Sequence, residues 1–196
     1  MNDSEGKVAS FMQSNGGYIT SDDCMKIGVH RNILFELAGS GLLKKAAAGI
    51  YCLPDTIQDE LYILHLRYPS LVFSHETALY LLGYSDQIPF KYNVTVPVGF
   101  HSSSLSPYSV FQIKEELIDC GKTDCKTEYG NTIPVYSIER TLCDLLHNRK
   151  NFDSERFLPA FKKYALSSSR DNISLLKFAK LLHVEKKIRL YLETTI

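Results

Sequence analysis

Side chains of types that bind DNA recur at helical spacing within residues 28–51. A helix is predicted over residues 29–38, with about 100° between successive side chains. One arc of this helix is apolar and predicts a buried face; it holds Ile33, Leu34, Leu37 and Ala38. The opposite arc holds Arg31, Asn32, Phe35 and Glu36. A guanidinium, an amide and an aromatic ring suit phosphates, base edges and thymine methyl groups, so Arg31, Asn32 and Phe35 are predicted to contact the DNA groove.

A short β-hairpin is predicted directly after this helix. Gly39 and Gly41 end the helix, because glycine adopts the conformation of a helix C-terminus at low cost. Two short extended runs then flank a tip at residues 46–48. Lys44 and Lys45 lie in the first run and are predicted to contact the DNA backbone. A basic hairpin that follows a helix is typical of the winged helix-turn-helix.

Two further helices are predicted before this stretch. Residues 4–14 carry apolar side chains at the i, i+3 and i+4 spacing of an amphipathic helix. A second helix begins at Thr20 or Ser21 as N-cap, with two aspartates in the first turn, where the helix dipole favours anions. Three helices followed by a hairpin complete the order of a winged helix-turn-helix domain.

The rest of the chain predicts a larger mixed α/β domain that ends in helices. Pro54 interrupts the chain and divides it into a DNA-binding domain, residues 1–53, and a C-terminal domain, residues 54–196. Two helices come first, then strands that include a hairpin around Gly130-Asn131, then four helices. The predicted fold class is therefore α+β.

Charge is distributed unevenly, although the net charge of the chain is zero. Residues 1–53 hold five cations and five carboxylates, residues 54–147 hold six and twelve, and residues 148–196 hold eleven and five. The C-terminal segment therefore predicts a second basic surface, or charge that pairs with the acidic middle segment. Its candidate residues are Lys162, Lys163, Lys177, Lys180, Lys186, Lys187 and Arg189.

The composition favours a cytoplasmic protein that does not bind a membrane. No cationic segment leads into an apolar run, so no signal peptide is predicted. No apolar stretch approaches the roughly 20 residues that span a bilayer. The five cysteines are odd in number and scattered, which indicates reduced thiols.

No catalytic residues, metal site or cofactor are predicted. One faint indication of an enzyme is Gln112-Ile113-Lys114, which matches the QxK form of a nuclease metal site. Such a site also needs a carboxylate on a neighbouring strand, yet residues 87–110 contain neither Asp nor Glu. A metal-dependent nuclease is therefore the least favoured interpretation.

Three groups of motifs resemble one protein family. The first comprises Gly16-Gly17-Tyr18-Ile19-Thr20, Gly28-Val29, Leu34, Leu37, Gly41-x-Leu43 and Gly49-Ile50-Tyr51. The second comprises Ser74-x-x-Thr77-Ala78-Leu79, Leu82-Gly83 and Ile88-Pro89. The third is Ile138-Glu139-Arg140-Thr141-Leu142-x-Asp144-Leu145. In order and spacing they resemble the AbiEi-like antitoxins of abortive-infection systems, over almost the whole chain.

The resemblance implies an antitoxin that represses transcription of its own toxin–antitoxin operon. Its winged helix would bind inverted repeats in the promoter, and its C-terminal domain would oppose a nucleotidyltransferase-like toxin. Systems of this kind are described as type IV, so a stable complex with the toxin is not expected.

Two alternatives remain open from the residues themselves. The chain is also consistent with a protein-interaction module that inhibits a partner and binds DNA weakly or not at all. Within the third motif group, Glu139 and Arg140 suit a structural ion pair with neighbours, or an anion site.

Overall fold

A computed structural model describes residues 3–152 and 154–195 and divides the chain into two compact units. Unit 1 comprises the chain up to Pro69 together with Lys126–Ile133; unit 2 comprises Ser70–Cys125 and the chain from Pro134 onward. Residues 54–69 and the segment Lys126–Ile133 therefore fold with unit 1, whereas the boundary predicted from Pro54 places them in the C-terminal domain.

The described residues form nine α-helices and eight β-strands, a mixed α+β fold. The helices are α1 (Asp3–Ser14), α2 (Ser21–Lys26), α3 (Asn32–Gly39), α4 (Glu60–Arg67), α5 (His75–Leu81), α6 (Ile138–His147), α7 (Ser154–Leu166), α8 (Asn172–Leu181) and α9 (Glu185–Thr195). The strands are β1 (Tyr18–Thr20), β2 (Lys44–Ala47), β3 (Ile50–Cys52), β4 (Val72–Phe73), β5 (Asn93–Pro97), β6 (Ser109–Ile113), β7 (Lys122–Lys126) and β8 (Thr132–Tyr136).

Unit 1 begins with three helices and a small antiparallel sheet in the strand order β1-β3-β2. The helix predicted over residues 29–38 is α3, which begins three residues later than expected. Its apolar arc packs against side chains of α1 and α2 in one core. That core includes Val8, Met12, Cys24, Ile33, Leu34 and Leu37.

A capping box fixes the start of α2 at Thr20, one of the two residues predicted as its N-cap. The backbone N–H of Asp23 donates to Thr20 Oγ1 at 3.1 Å, and the N–H of Thr20 donates to the Asp23 carboxylate at 3.0 Å. Lys26 completes the cluster with an ion pair to Asp23 at 2.7 Å. Burial disfavours the charged carboxylate, but Lys26 and Thr20 outweigh this effect and lower the pKa of Asp23.

The buried carboxylate of Asp59 joins segments of unit 1 that are far apart in sequence. It caps α4 by accepting from the Tyr62 N–H at 3.1 Å. It also accepts from Thr127 Oγ1 at 2.5 Å and from Asn131 Nδ2 at 2.8 Å. These bonds explain why the tip of the β7–β8 hairpin belongs to unit 1.

Unit 2 contains strands of a five-stranded mixed sheet with the order β6-β5-β4-β8-β7. β5 and β6 are parallel, as are β4 and β8, whereas β4 and β5 are antiparallel. The central strand β4 was not predicted from the sequence; its second residue, Phe73, was instead placed at the start of a helix predicted over residues 73–83. Ser74 lies at the N-cap of α5, but its hydroxyl group accepts from Thr95 Oγ1 at 2.8 Å and makes no cap bond.

The helices of unit 2 share one hydrophobic core. Leu142 and Leu145 of α6 pack there with Phe161 of α7, Leu175 of α8 and Ile188 of α9. Every one of these side chains is buried. Full burial of such a side chain is worth about 1.5–3 kcal/mol, so this core is the main support of the predicted C-terminal helices.

Across the described part of the chain, no helix is both long and apolar enough to span a membrane.

Asp59 offers a direct test of how the hairpin tip is held. Asp59→Ala removes the acceptor of three hydrogen bonds and leaves the buried Thr127 hydroxyl group unsatisfied, so the free energy of unfolding should fall by about 3 kcal/mol. Urea denaturation followed by circular dichroism measures this change. Asp55→Ala, at an exposed position nearby, is the matched control and should change the value by less than about 0.5 kcal/mol. An equally small change for Asp59→Ala would contradict the anchoring role.

Candidate nucleic-acid interface

The outer face of α3 presents the three predicted groove-contact residues to solvent. Arg31, Asn32 and Phe35 are exposed, while Ile33, Leu34 and Leu37 are buried, so the predicted division of the helix into two arcs is confirmed. Phe35 has 78% of its surface exposed.

The fold does not use the side chains of this face. Arg31 occupies the N-cap position of α3 but makes no side-chain cap bond. The backbone N–H of Asn32 donates to His30 Nδ1 at 3.3 Å. The side-chain amide of Asn32 takes no part in this bond. Within residues 3–152 and 154–195, no ion pair or side-chain hydrogen bond involves Arg31, Asn32 or Phe35.

The two lysines of the hairpin differ in their surroundings. Lys44 is half-buried, and its ammonium group donates to the carbonyl groups of Pro54 at 2.8 Å and Thr56 at 2.7 Å. To contact DNA, the ammonium group of Lys44 would have to break its hydrogen bonds to these two carbonyl groups. Lys45 pairs with Tyr51 in the strand register and is exposed. It is therefore the better placed of the two for a backbone contact.

Most cationic side chains in the described part of unit 1 already interact with other residues of that unit. Lys7 pairs with Asp3 at 2.6 Å, and Lys26 pairs with Asp23. Among the described residues of unit 1, Arg31 and Lys45 are the cations with neither an ion pair nor a hydrogen bond through the side chain. Electrostatic attraction between this unit and a polyanion is consequently weak.

The predicted basic residues of the C-terminal segment do not form one group. Lys162 and Lys163 lie on α7, Lys177 and Lys180 on α8, and Lys186, Lys187 and Arg189 on α9. All seven are exposed, but two are already engaged within unit 2. Lys163 donates to the carbonyl of Gly83 at 2.6 Å, and Arg189 pairs with Glu185 at 2.7 Å. Lys177 and Lys180 line a cleft of unit 2.

Several exposed hydrophobic side chains of unit 1, Met25 and Leu42 among them, were not singled out from the sequence. Met25 has 71% of its surface exposed and Leu42 has 60%. Hydropathy alone assigns such residues to a core, so no sequence signal separates them from buried neighbours. With Phe35, Leu53, Ile57 and Tyr129, they make six large hydrophobic side chains exposed to solvent among the described residues of unit 1.

The weak nuclease motif lies on β6, at the edge of the sheet. Gln112 Nε2 donates to the carbonyl of Phe100 at 3.0 Å, so the amide serves a neighbouring loop. The paired strand β5 has the sequence Asn93-Val94-Thr95-Val96-Pro97, which contains no carboxylate.

The hairpin lysines should respond differently to substitution. If unit 1 binds DNA, Lys45→Ala should weaken binding to promoter and random DNA by similar factors, because phosphate contacts carry no sequence information. Lys44→Ala should instead lower the free energy of unfolding, by about 1 kcal/mol for the lost bonds to carbonyl groups. Filter binding and urea denaturation measure the two effects. A loss confined to promoter DNA for Lys45→Ala would mean that the hairpin reads bases or groove shape.

Comparison with known proteins gives information on the fold alone. Neither a protein-family model nor a curated protein matches this sequence. The fold is similar to that in the crystal structure of the RV2827C protein from Mycobacterium tuberculosis, with a TM-score of 0.53 and 16% sequence identity. The similarity covers 98% of this chain and 82% of that one.

Proposed function

We propose that this protein is a DNA-binding transcriptional autorepressor and the antitoxin of a toxin–antitoxin operon. In this proposal unit 1 is a winged helix-turn-helix, α3 is its recognition helix, and the β2–β3 hairpin is its wing. The order α1-β1-α2-α3-β2-β3 supports this part of the proposal, because a winged helix-turn-helix also has three helices followed by a hairpin. The target is an inverted repeat in the protein's own promoter.

The observation that carries the proposal is the outer face of α3. A cation, an amide and an aromatic ring lie exposed on one side of a helix whose other side is buried in the core. Arg31 suits guanine or phosphate, Asn32 suits adenine, and Phe35 suits a thymine methyl group. Because these side chains make no ion pair or side-chain hydrogen bond within the described fold, they are available to a ligand.

The antitoxin role rests on the motif resemblance to AbiEi-like proteins. It implies a nucleotidyltransferase-like toxin as the functional counterpart, with no stable complex between the two and with both in the cytoplasm. In this proposal unit 2 carries the antitoxin activity and has no enzymatic role. Coexpression with the toxin, with growth as the readout, tests this part separately from DNA binding.

A second candidate function is supported by the apolar exposure of unit 1. The exposed side chains of Met25, Phe35 and Leu42 suit apolar contacts with another protein, and few cations of unit 1 lack a partner within the unit. In that case the unit is a protein-interaction module that inhibits a partner and binds DNA weakly or not at all. A gel shift with promoter DNA at several salt concentrations separates the two candidates.

Arg31 gives the sharpest mutational test of the recognition face. Arg31→Ala should weaken promoter binding by about 1–3 kcal/mol, the usual worth of a good groove contact. Lys7→Ala is the matched control in the same unit, because Asp3 already balances its charge. Circular dichroism must show an intact fold for both variants. If Arg31→Ala bound the promoter with unchanged affinity, Arg31 would not be a DNA-contact residue.

The role of the C-terminal cations is tested through the salt dependence of the full chain. If α9 contacts the DNA backbone, Lys186→Ala with Lys187→Ala should reduce the slope of log affinity against log salt by up to about 1.8, or about 0.9 per phosphate. An unchanged slope would mean that these two lysines do not contact the DNA backbone, and a role in opposing the toxin would remain for them. Variants of the whole chain are preferable to residues 1–53, since Asp59 and the hairpin tip also belong to unit 1.

A further inference from the structure

Unit 2 contains a cleft of about 1380 Å³. Its lining comes from β6 and the turn that follows it, from α6, and from α8 with the residues just after it. Small-molecule sites usually occupy about 300–1,000 Å³, so a ligand of nucleotide size fits in this cleft.

The backbone is strained at two positions in the lining. His75 has φ of 52° and His183 has φ of 58°. In the part of the chain that the structure describes, they are the only residues other than glycine with positive φ. His183 follows the C-terminus of α8, where glycine is usual, and His75 begins α5. Strained residues concentrate at functional sites, and here both line the same cleft.

The imidazole of His75 forms a rigid aromatic part of the lining. Burial, followed by the charges of Arg140 and His147, lowers the pKa of His75 to about 3, so the ring is neutral. Its Nε2 accepts from Asn148 Nδ2 at 3.0 Å, and its Nδ1–H donates to Ser74 Oγ at 2.9 Å. The ring stacks on Phe111, with 3.9 Å between the ring centroids.

Cations outnumber carboxylates in the lining by four to two. The cations are Lys114, Arg140, Lys177 and Lys180, and the carboxylates are Glu116 and Asp144. Lys114 lies 3.9 Å from Glu116, and Arg140 binds Asp144. The charges of Lys177 and Lys180 therefore have no counterpart within the lining. The two lysines lie three residues apart on α8, on the same side of the helix.

Arg140 retains one hydrogen-bond donor without an acceptor. Its Nε donates to both oxygens of Asp144 at 3.1 and 3.0 Å, and Nη1 donates to the carbonyl of Cys120 at 2.7 Å. Nη2 is buried and has no hydrogen-bond acceptor within the described residues. Because an unsatisfied buried donor is unfavourable, an anionic oxygen beside Arg140 would be stabilising.

We propose that this cleft binds a nucleoside phosphate. The ammonium groups of Lys177 and Lys180, with the guanidinium of Arg140, contact the phosphate oxygens, and the half-buried ring of Phe111 holds the base. The buried ring of His75 stacks on Phe111 and supports it. The proposal uses residues of unit 2 alone and does not rest on DNA binding by unit 1.

The test measures the fluorescence anisotropy of methylanthraniloyl-ATP and methylanthraniloyl-GTP with the full chain. Saturable binding is expected, with ATP or GTP competing more strongly than either pyrophosphate or the nucleoside. Lys177→Ala with Lys180→Ala should weaken binding about tenfold, equivalent to about 1.4 kcal/mol. Lys186→Ala with Lys187→Ala removes the same charge from α9, outside the cleft, and should leave the affinity unchanged.

Several outcomes would overturn the proposal. One is the absence of saturable binding at millimolar nucleotide, and another is an equal loss in both double variants, which would indicate general attraction of polyanions. If pyrophosphate competed as strongly as ATP, the cleft would not recognise the base. Binding of a single-stranded oligonucleotide without binding of mononucleotides would identify a nucleic-acid surface instead. If the alanine variant does not fold, Lys177→Gln with Lys180→Gln keeps the test decisive.

Discussion

Burial of one side of α3 determines what unit 1 presents to solvent. Ile33, Leu34 and Leu37 lie in the core with side chains of α1 and α2. Each buried aliphatic side chain is worth about 1.5–3 kcal/mol, so rotation of the helix about its axis would cost several times the thermal energy. The angular spacing of side chains around a helix is fixed, so burial of one side also determines which residues face solvent. Here it places Arg31 and Phe35 on the outer side. The proposed recognition face is thus a consequence of core packing, without a dedicated network of hydrogen bonds to hold it.

The scarcity of cations in unit 1 shapes the proposed mode of binding. Log affinity for double-stranded DNA falls with log salt by about 0.9 for each phosphate neutralised, and the uncommitted cations of this unit are few among the described residues. A repressor built this way would depend on groove contacts, on a second copy at the other half-site, or on cations of the C-terminal helices. The exposed apolar side chains of the same unit are the physical reason why a protein-interaction module remains the second candidate.

The sequence predicted the elements whose signals are local. The two arcs of α3 and the N-cap at Thr20 both follow from spacing within a few residues. The strand β4 was missed because its assignment depends on pairing with β5 and with Val135 of β8, far along the chain. Lys44 was predicted to contact DNA because spacing cannot show that the carbonyls of Pro54 and Thr56 fold back onto its ammonium group. The strained backbone of His75 is likewise a product of tertiary packing.

Site-specific photocrosslinking tests the recognition face most directly. A photoreactive amino acid at position 32, on the outer side of α3, should crosslink to bases within an inverted repeat of the protein's own promoter. The same group at Ser10, an exposed position of α1, should give little crosslinking to that DNA. Crosslinking of the promoter from position 10 but not from position 32, or no crosslinked DNA from either position, would contradict the assignment of α3 as the helix that reads DNA.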